Sequence, residues 1–172
     1  FLGEDHLLTI GFDADVNTGA TEGMQLSIFD VSDMANPVRS HTYDLGEGWS
    51  EATTDHRAFG FFDVQGLLAI PVSRWSDAQE VGLEVLSVDA TSGFAPVAFI
   101  SHATVYEQNA DHFGYAPNMR RSFILDDHLF ALSDAVLSAS PLDTLDEPAA
   151  ASITLPTPDY HGPFEVMPMP AF

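Results

Sequence analysis

Apolar and polar residues alternate with a period of two along much of the chain. Met24, Leu26 and Ile28 are separated by Gln25 and Ser27, and Leu83 and Val85 flank Glu84. Such alternation predicts β-strands. Val97-Ala98-Phe99-Ile100 is instead a short continuous apolar run, which predicts a strand buried on both faces. No window of about 12 residues carries a stripe at helical spacing, and the longest helix-like stretch, Ser76 to Val81, is only half as long. Glycine and proline punctuate the connections between these segments.

The strands recur in a fixed order. Phe1-Leu2-Gly3-Glu4-Asp5-His6-Leu7-Leu8-Thr9-Ile10 aligns with Phe61-Phe62-Asp63-Val64-Gln65-Gly66-Leu67-Leu68-Ala69-Ile70 and with Phe123-Ile124-Leu125-Asp126-Asp127-His128-Leu129-Phe130-Ala131-Leu132. The three segments start 60 and 62 residues apart. Each reads as a strand, an acidic or Gly-bearing turn and a second strand. An apolar residue followed by Asp then closes a further strand (Phe29-Asp30, Val88-Asp89, Leu142-Asp143). A proline opens the last one (Pro37-Val38, Pro96-Val97, Pro148-Ala149), where a missing N–H suits a strand start or an edge.

Four strands per unit, repeated, predict an all-β protein of β-propeller type. It has about three four-stranded blades, at 1–50, 51–106 and 107–156, followed by a Pro-rich tail at 157–172 that is the start of a further blade or packs on a blade edge. Propellers close with ~4–8 blades, so three predict either part of a larger ring or a ring completed by association of copies through open blade edges. Phe1 aligns inside a strand whose lead-in is missing, which points to a processed or excised segment.

The residues also resemble a known family. His6 to Asp15, Leu26 to Asp33, Ala35-Asn36-Pro37-Val38, Ser50-Glu51-Ala52, Asp55-His56-Arg57-Ala58-Phe59, Gly66 to Val72 and Arg121 to Asp134 together resemble secreted prokaryotic proteins with a C-terminal β-propeller domain, distantly related to WD40 repeats. The resemblance covers most of residues 1–156. It implies a propeller and a secreted or periplasmic location. It implies no reaction and transfers no catalytic residue.

Charge narrows the partners. Twenty-six acidic residues stand against five basic ones, all Arg, for a net charge of −21. So acidic a surface predicts no grip on nucleic acid or anionic lipid and favours cations, basic partners or a salty medium. There is no cysteine, which excludes disulfides, thiolate metal sites and cysteine nucleophiles. No apolar run is long enough for a membrane helix.

Two groups of residues have the composition of metal sites. Glu51-x-x-x-Asp55-His56 recurs as Glu107-x-x-x-Asp111-His112, with a shorter echo in Asp159-Tyr160-His161. Both full copies precede the inner strand of a blade, so their loops are expected beside the central channel. Carboxylates with imidazoles there suit Ca²⁺ or another divalent cation, or general acid–base chemistry. The alternative is that the Asp side chains cap turns. Asp13, Asp15 and Asn17 alternate like the start of a calcium loop, but Gly19 falls one place late and Met24 stands where a Glu is needed. Turn-forming chemistry explains the same residues.

Weaker candidates remain. Trp49 and Trp75 lie in predicted loops and offer indole faces to a carbohydrate. Arg120-Arg121 is expected to form local ion pairs. There is no nucleophile elbow, P-loop or dinucleotide fingerprint. The sequence therefore favours a non-enzymatic, extracytoplasmic binding scaffold, open to stabilisation by Ca²⁺ or another divalent cation, with a protein or carbohydrate partner. The alternative is a metal-dependent hydrolase working through Glu51, Asp55, His56, Glu107, Asp111 and His112.

Overall fold

The computed structural model describes residues 1–75, 79–104 and 116–156. Three antiparallel sheets follow one another along the chain. The first has the order β1(His6–Ala14)-β2(Thr21–Asp30)-β3(Val38–Gly46). The second contains β4(Gly48–Trp49), β5(Gly60–Phe62), β6(Leu67–Trp75), β7(Gln79–Asp89) and β8(Gly93–Ile100). There β4 and β5 share one side of β6, while β7 and β8 follow on the other. The third has the order β9(Met119–Leu125)-β10(His128–Ser133)-β11(Val136–Pro141)-β12(Ala151–Thr154). This is the partial propeller expected from the repeats, except that the first sheet has three strands. Leu2 bridges to His6 where the other sheets have a full inner strand.

The sheets pack face to face through two cores. Leu26, Ile28, Leu68, Ile70, Val72 and Leu86 join the first sheet to the second. Ala69, Leu83 and Val85 meet Leu129 and Ala131 of the third. The middle sheet is thus covered on both sides, and Val81 to Leu86 of β7 form an unbroken buried run. Burial of that kind explains why its sequence is nearly continuously apolar.

One strand was expected on the wrong side of this division. Val97-Ala98-Phe99-Ile100 lies in β8, an edge strand that pairs with β7 alone, and Val97 and Phe99 are 36% and 40% exposed. Ala98 and Ile100 pack on the second core, while Val97 and Phe99, on the alternate face, reach beyond the cover of the first sheet. Pro96 within β8 falls at a register shift opposite Val85/Leu86, where a missing N–H does little harm.

The repeat is also less exact than an ungapped alignment suggests. The inner turns differ in length: Leu2 pairs with His6, Phe62 with Leu67 and Leu125 with His128. Asp126 takes a left-handed backbone (φ 53°) in the shortest of them. A one-residue slip turns a strand over. Leu8 accordingly reaches the first core from the first sheet, whereas the aligned Leu68 reaches that same core from the second. Phe130, in the same column, stacks on Phe123 at 4.8 Å, on the face opposite Leu129 and Ala131.

Central and peripheral positions should therefore differ sharply in cost. Leu83→Ala is expected to destabilise the fold by ~2–5 kcal/mol, and Val97→Ala by under about 1 kcal/mol. Urea unfolding of the two variants measures both.

Candidate functional site

The Glu51–His56 segment begins where β4 leaves the second sheet. Ser50 is fully buried and caps a short 3-10 turn over Glu51–Thr53 by accepting from the Ala52 N–H at 3.2 Å. Its hydroxyl donates to the Pro71 carbonyl at 2.6 Å. Asp55 caps the next turn, over His56–Ala58, accepting from the Arg57 N–H at 2.9 Å. These caps fix the directions of Glu51 and Asp55.

Both carboxylates meet the inner strand of the third sheet. Arg121 donates to Glu51 Oε1 at 3.0 Å and to Asp55 Oδ2 at 2.6 Å. Arg120 donates to Glu51 Oε2 at 2.9 Å and holds Asp134 through two bonds, at 2.6 and 3.2 Å. Burial alone would raise the Glu51 pKa, but the hydrogen bonds from Arg120 and Arg121 hold it below the usual range. Asp55 is lowered chiefly by the Arg57 backbone N–H, with Arg121 adding to the effect. The Arg120 guanidinium is shifted upward, first by Asp134 and then by Glu51. The basic pair thus forms the local ion pairs expected of it, and they tie a loop at the first junction to the third blade.

His56 is exposed at the same turn. Glu107, Asp111 and His112, with Asp159 and His161, lie outside the described residues. Among the described residues no group of three or more His, Asp or Glu side chains gathers as a cation cage.

The Asp13–Asn17 loop lies at the tip of the β1–β2 hairpin. Asp15 Oδ1 accepts from the Asn17 N–H at 2.9 Å, the Thr18 N–H at 2.6 Å and the Thr18 hydroxyl at 2.9 Å. These bonds, the Thr18 backbone first, lower its pKa. Asp89 does the same with Thr91 and Ser92 in the β7–β8 turn. Asp-x-x-(Thr/Ser)-Gly is therefore a turn shared by two hairpins, each ended by a glycine of positive φ (70° at Gly19, 82° at Gly93). Asp13 accepts from the neighbouring Ala14 N–H at 3.0 Å. Asn17 contributes its backbone N–H to the Asp15 turn.

One buried group was not singled out by sequence. His102, 2% exposed, follows β8 and reaches into the third sheet. Its Nδ1 lies 2.9 Å from Ser133 Oγ and its Nε2 lies 2.8 Å from Ser138 Oγ. Each nitrogen of the neutral ring thus meets a serine hydroxyl, one ring nitrogen donating and the other accepting. Desolvation lowers the His102 pKa from 6.5 to about 4. Ser138 and His102 stand at nucleophile–base distance, but a hydroxyl rather than a carboxylate orients the ring. His102 thus follows the last strand of the second sheet and bonds to two strands of the third, β10 through Ser133 and β11 through Ser138. No repeated motif flags His102, which lies outside the Glu-x-x-x-Asp-His pattern that starts at Glu107.

Two measurements follow. Arg121→Ala leaves Glu51 and Asp55 short of charge-assisted bonds. It is expected to cost ~1–3 kcal/mol after allowance for its partial exposure, with Arg121→Lys recovering only part. Chemical denaturation reads both. For His102, the unfolded chain binds the proton first. The neutral ring therefore contributes stability that is complete above pH 6.5 and is lost as the pH falls toward about 4, a swing on the order of 3 kcal/mol. His102→Gln should flatten the stability profile across that window.

The Beta propeller domain family matches residues 1–145 of the chain. An uncharacterized protein of Archaeoglobus fulgidus (strain ATCC 49558 / DSM 4304 / JCM 9628 / NBRC 100126 / VC-16) is 35% identical over 60 residues, 34% of this chain. The matched part is 10% of that protein's length. No solved structure matches the chain significantly. With three stacked antiparallel sheets and a family match over most of its length, the chain belongs to the Beta propeller domain family.

Proposed function

We propose that this propeller is a non-enzymatic binding scaffold that works outside the cytoplasm. The observation that carries the reading is the pairing of Glu51 and Asp55 with Arg120 and Arg121. Of the residues with the best sequence claim to metal or acid–base chemistry, Glu51 and Asp55 are engaged in joining blades. A carboxylate held by a guanidinium is a poor general base and a poor cation ligand. The extracytoplasmic location rests on the resemblance to secreted propeller proteins.

The partner is a protein or a carbohydrate rather than nucleic acid, given the net charge of −21. Self-association belongs to the same reading. The outer face of the third blade carries the stacked Phe123 and Phe130, with Leu125 and Ile153 59% and 58% exposed. A further blade or a second copy would cover it as the first two junctions are covered.

The test pairs turnover with thermal melting. The chain is incubated with chromogenic carboxylic esters, phosphate esters and glycosides, after EDTA treatment and with Ca²⁺, Mn²⁺ or Zn²⁺ restored. Expected are rates equal to buffer and melting temperatures within about 1 °C of the EDTA sample, because only an ion that binds the folded form raises the melting temperature. Turnover abolished by Asp55→Asn would sink the scaffold reading in favour of a hydrolase. A metal-dependent rise of several degrees lost on Asp55→Asn would make the junction a cation site, and one lost on Asp13→Asn or Asp15→Asn would place the ion in the hairpin loop.

A further inference from the structure

A groove opens beside the first junction, between the end of the β1–β2 hairpin and β4. It encloses about 260 Å³. Phe12 and Trp75 form its aromatic walls, and Glu22 and Glu47 bring carboxylates to it. Trp75 is 65% exposed and Phe12 52%. Trp75 is held at the edge by its backbone N–H, which donates to the Glu47 carbonyl at 2.9 Å. Gly23 and Gly48 also line the groove. A Cβ at Gly48 would overlap the Ser73 carbonyl, and one at Gly23 would lie 3.2 Å from the Gly46 carbonyl oxygen. Bare backbone is thus required at both positions.

Charge decides what the groove suits. The chain has five basic side chains, all arginines, and every one is engaged elsewhere. Arg39 bonds Gln25, Arg57 bonds Asp55, and Arg74 pairs with Glu80 and Glu84. Arg120 and Arg121 hold Glu51, Asp55 and Asp134. Among the described residues, neither Glu22 nor Glu47 has a cationic side chain within ion-pair distance. Two aromatic faces and two carboxylates therefore meet in one groove with no cation of the protein's own.

The molecule displays the matching recognition internally. The Arg74 guanidinium lies over the Phe99 ring, 5.4 Å from its centroid, and pairs with Glu84. An aromatic face and a carboxylate together hold one guanidinium, as cation–π attraction and ion pairing allow. The groove repeats that combination without its occupant. Its volume is below the ~300–1,000 Å³ usual for small-molecule pockets, which suits a single side chain better than a larger ligand.

We propose that the Phe12/Trp75/Glu22/Glu47 groove receives an arginine side chain presented by an exposed segment of a partner protein. This rests on the scaffold reading and gives that scaffold a partner chemistry.

The probe is acetyl-Gly-Gly-Arg-Gly-Gly-amide, titrated into the folded chain by calorimetry. Trp49 and Trp75 are the chain's two tryptophans, so indole fluorescence gives a second readout. Expected is saturable binding, weakened at least tenfold when citrulline replaces arginine in the peptide. Trp75→Ala should weaken it tenfold or more, and so should the double variant Glu22→Gln/Glu47→Gln. The double variant Asp143→Asn/Asp146→Asn, which removes the same charge elsewhere, should stay within twofold. All three variants are checked for folding by circular dichroism. Absence of saturable binding overturns the proposal, as does equal binding by the groove variants or by the citrulline peptide. Binding of a neutral maltopentaose that displaces no peptide and depends on Trp75 would assign the groove to carbohydrate instead. None of these failures touches the scaffold reading, which falls only to the turnover assay above.

Discussion

Everything in this molecule depends on the middle sheet being covered twice. A β-sheet has two faces, and β6 and β7 present apolar side chains on both. Leu68, Ile70 and Val72 meet the first sheet, while Ala69, Leu83 and Val85 meet the third. Neither face could stay exposed in water without a large loss of hydrophobic stabilisation. The stacking of blades is thus a consequence of composition in two strands. The polar groups at the junctions are then constrained to satisfy one another inside a nearly dry interface.

The junctions meet this constraint with different chemistry. At the first, Tyr43 donates to the buried Glu84 across the interface, and Arg74, which pairs with Glu84 inside the second sheet, donates to the Leu45 carbonyl of the first. At the second, His102 bonds two serines, and Arg120 and Arg121 reach back to Glu51 and Asp55. A buried charge left without its partner is costly, so each pair fixes the relative placement of two blades more than it adds net stability. That distinction bears on function. Polar residues committed to joining blades contribute to the rigidity of a surface, and the chemistry of recognition must come from groups left over.

Much of the fold was legible in the sequence because period-two alternation and repeated turns are local signals. Met24, Leu26 and Ile28 could be read directly as one inward face. The misplacement of Val97–Ile100 has a clear origin. An apolar run says that a strand is hydrophobic, not how many neighbours it has, and edge position is a property of the whole sheet. The alignment of Leu8, Leu68 and Phe130 fails for a similar reason: the second sheet has the longest inner turn, and its Leu68 faces the preceding sheet while Leu8 faces the following one and Phe130 the outer side. Ser138 and Ser140 conceal themselves in the opposite way. Their alternation with Leu137 and Ala139 suggests a solvent-facing polar side, yet both serines are buried toward the second blade.

The candidate site was legible only as composition. Glu51 and Asp55 precede the inner strand β5, but their partners, Arg120 and Arg121, lie some seventy residues away. Acidic motifs have the same appearance whether they await a cation from solution or already hold a guanidinium from the chain. In a protein with 26 carboxylates and five arginines the cations are the scarce reagent. Locating all five arginines therefore separates carboxylates that are structurally satisfied from those that are free to meet a partner. By that criterion Glu51 and Asp55 are already paired within the chain, while among the described residues no arginine reaches Glu22 or Glu47 beside the aromatic groove.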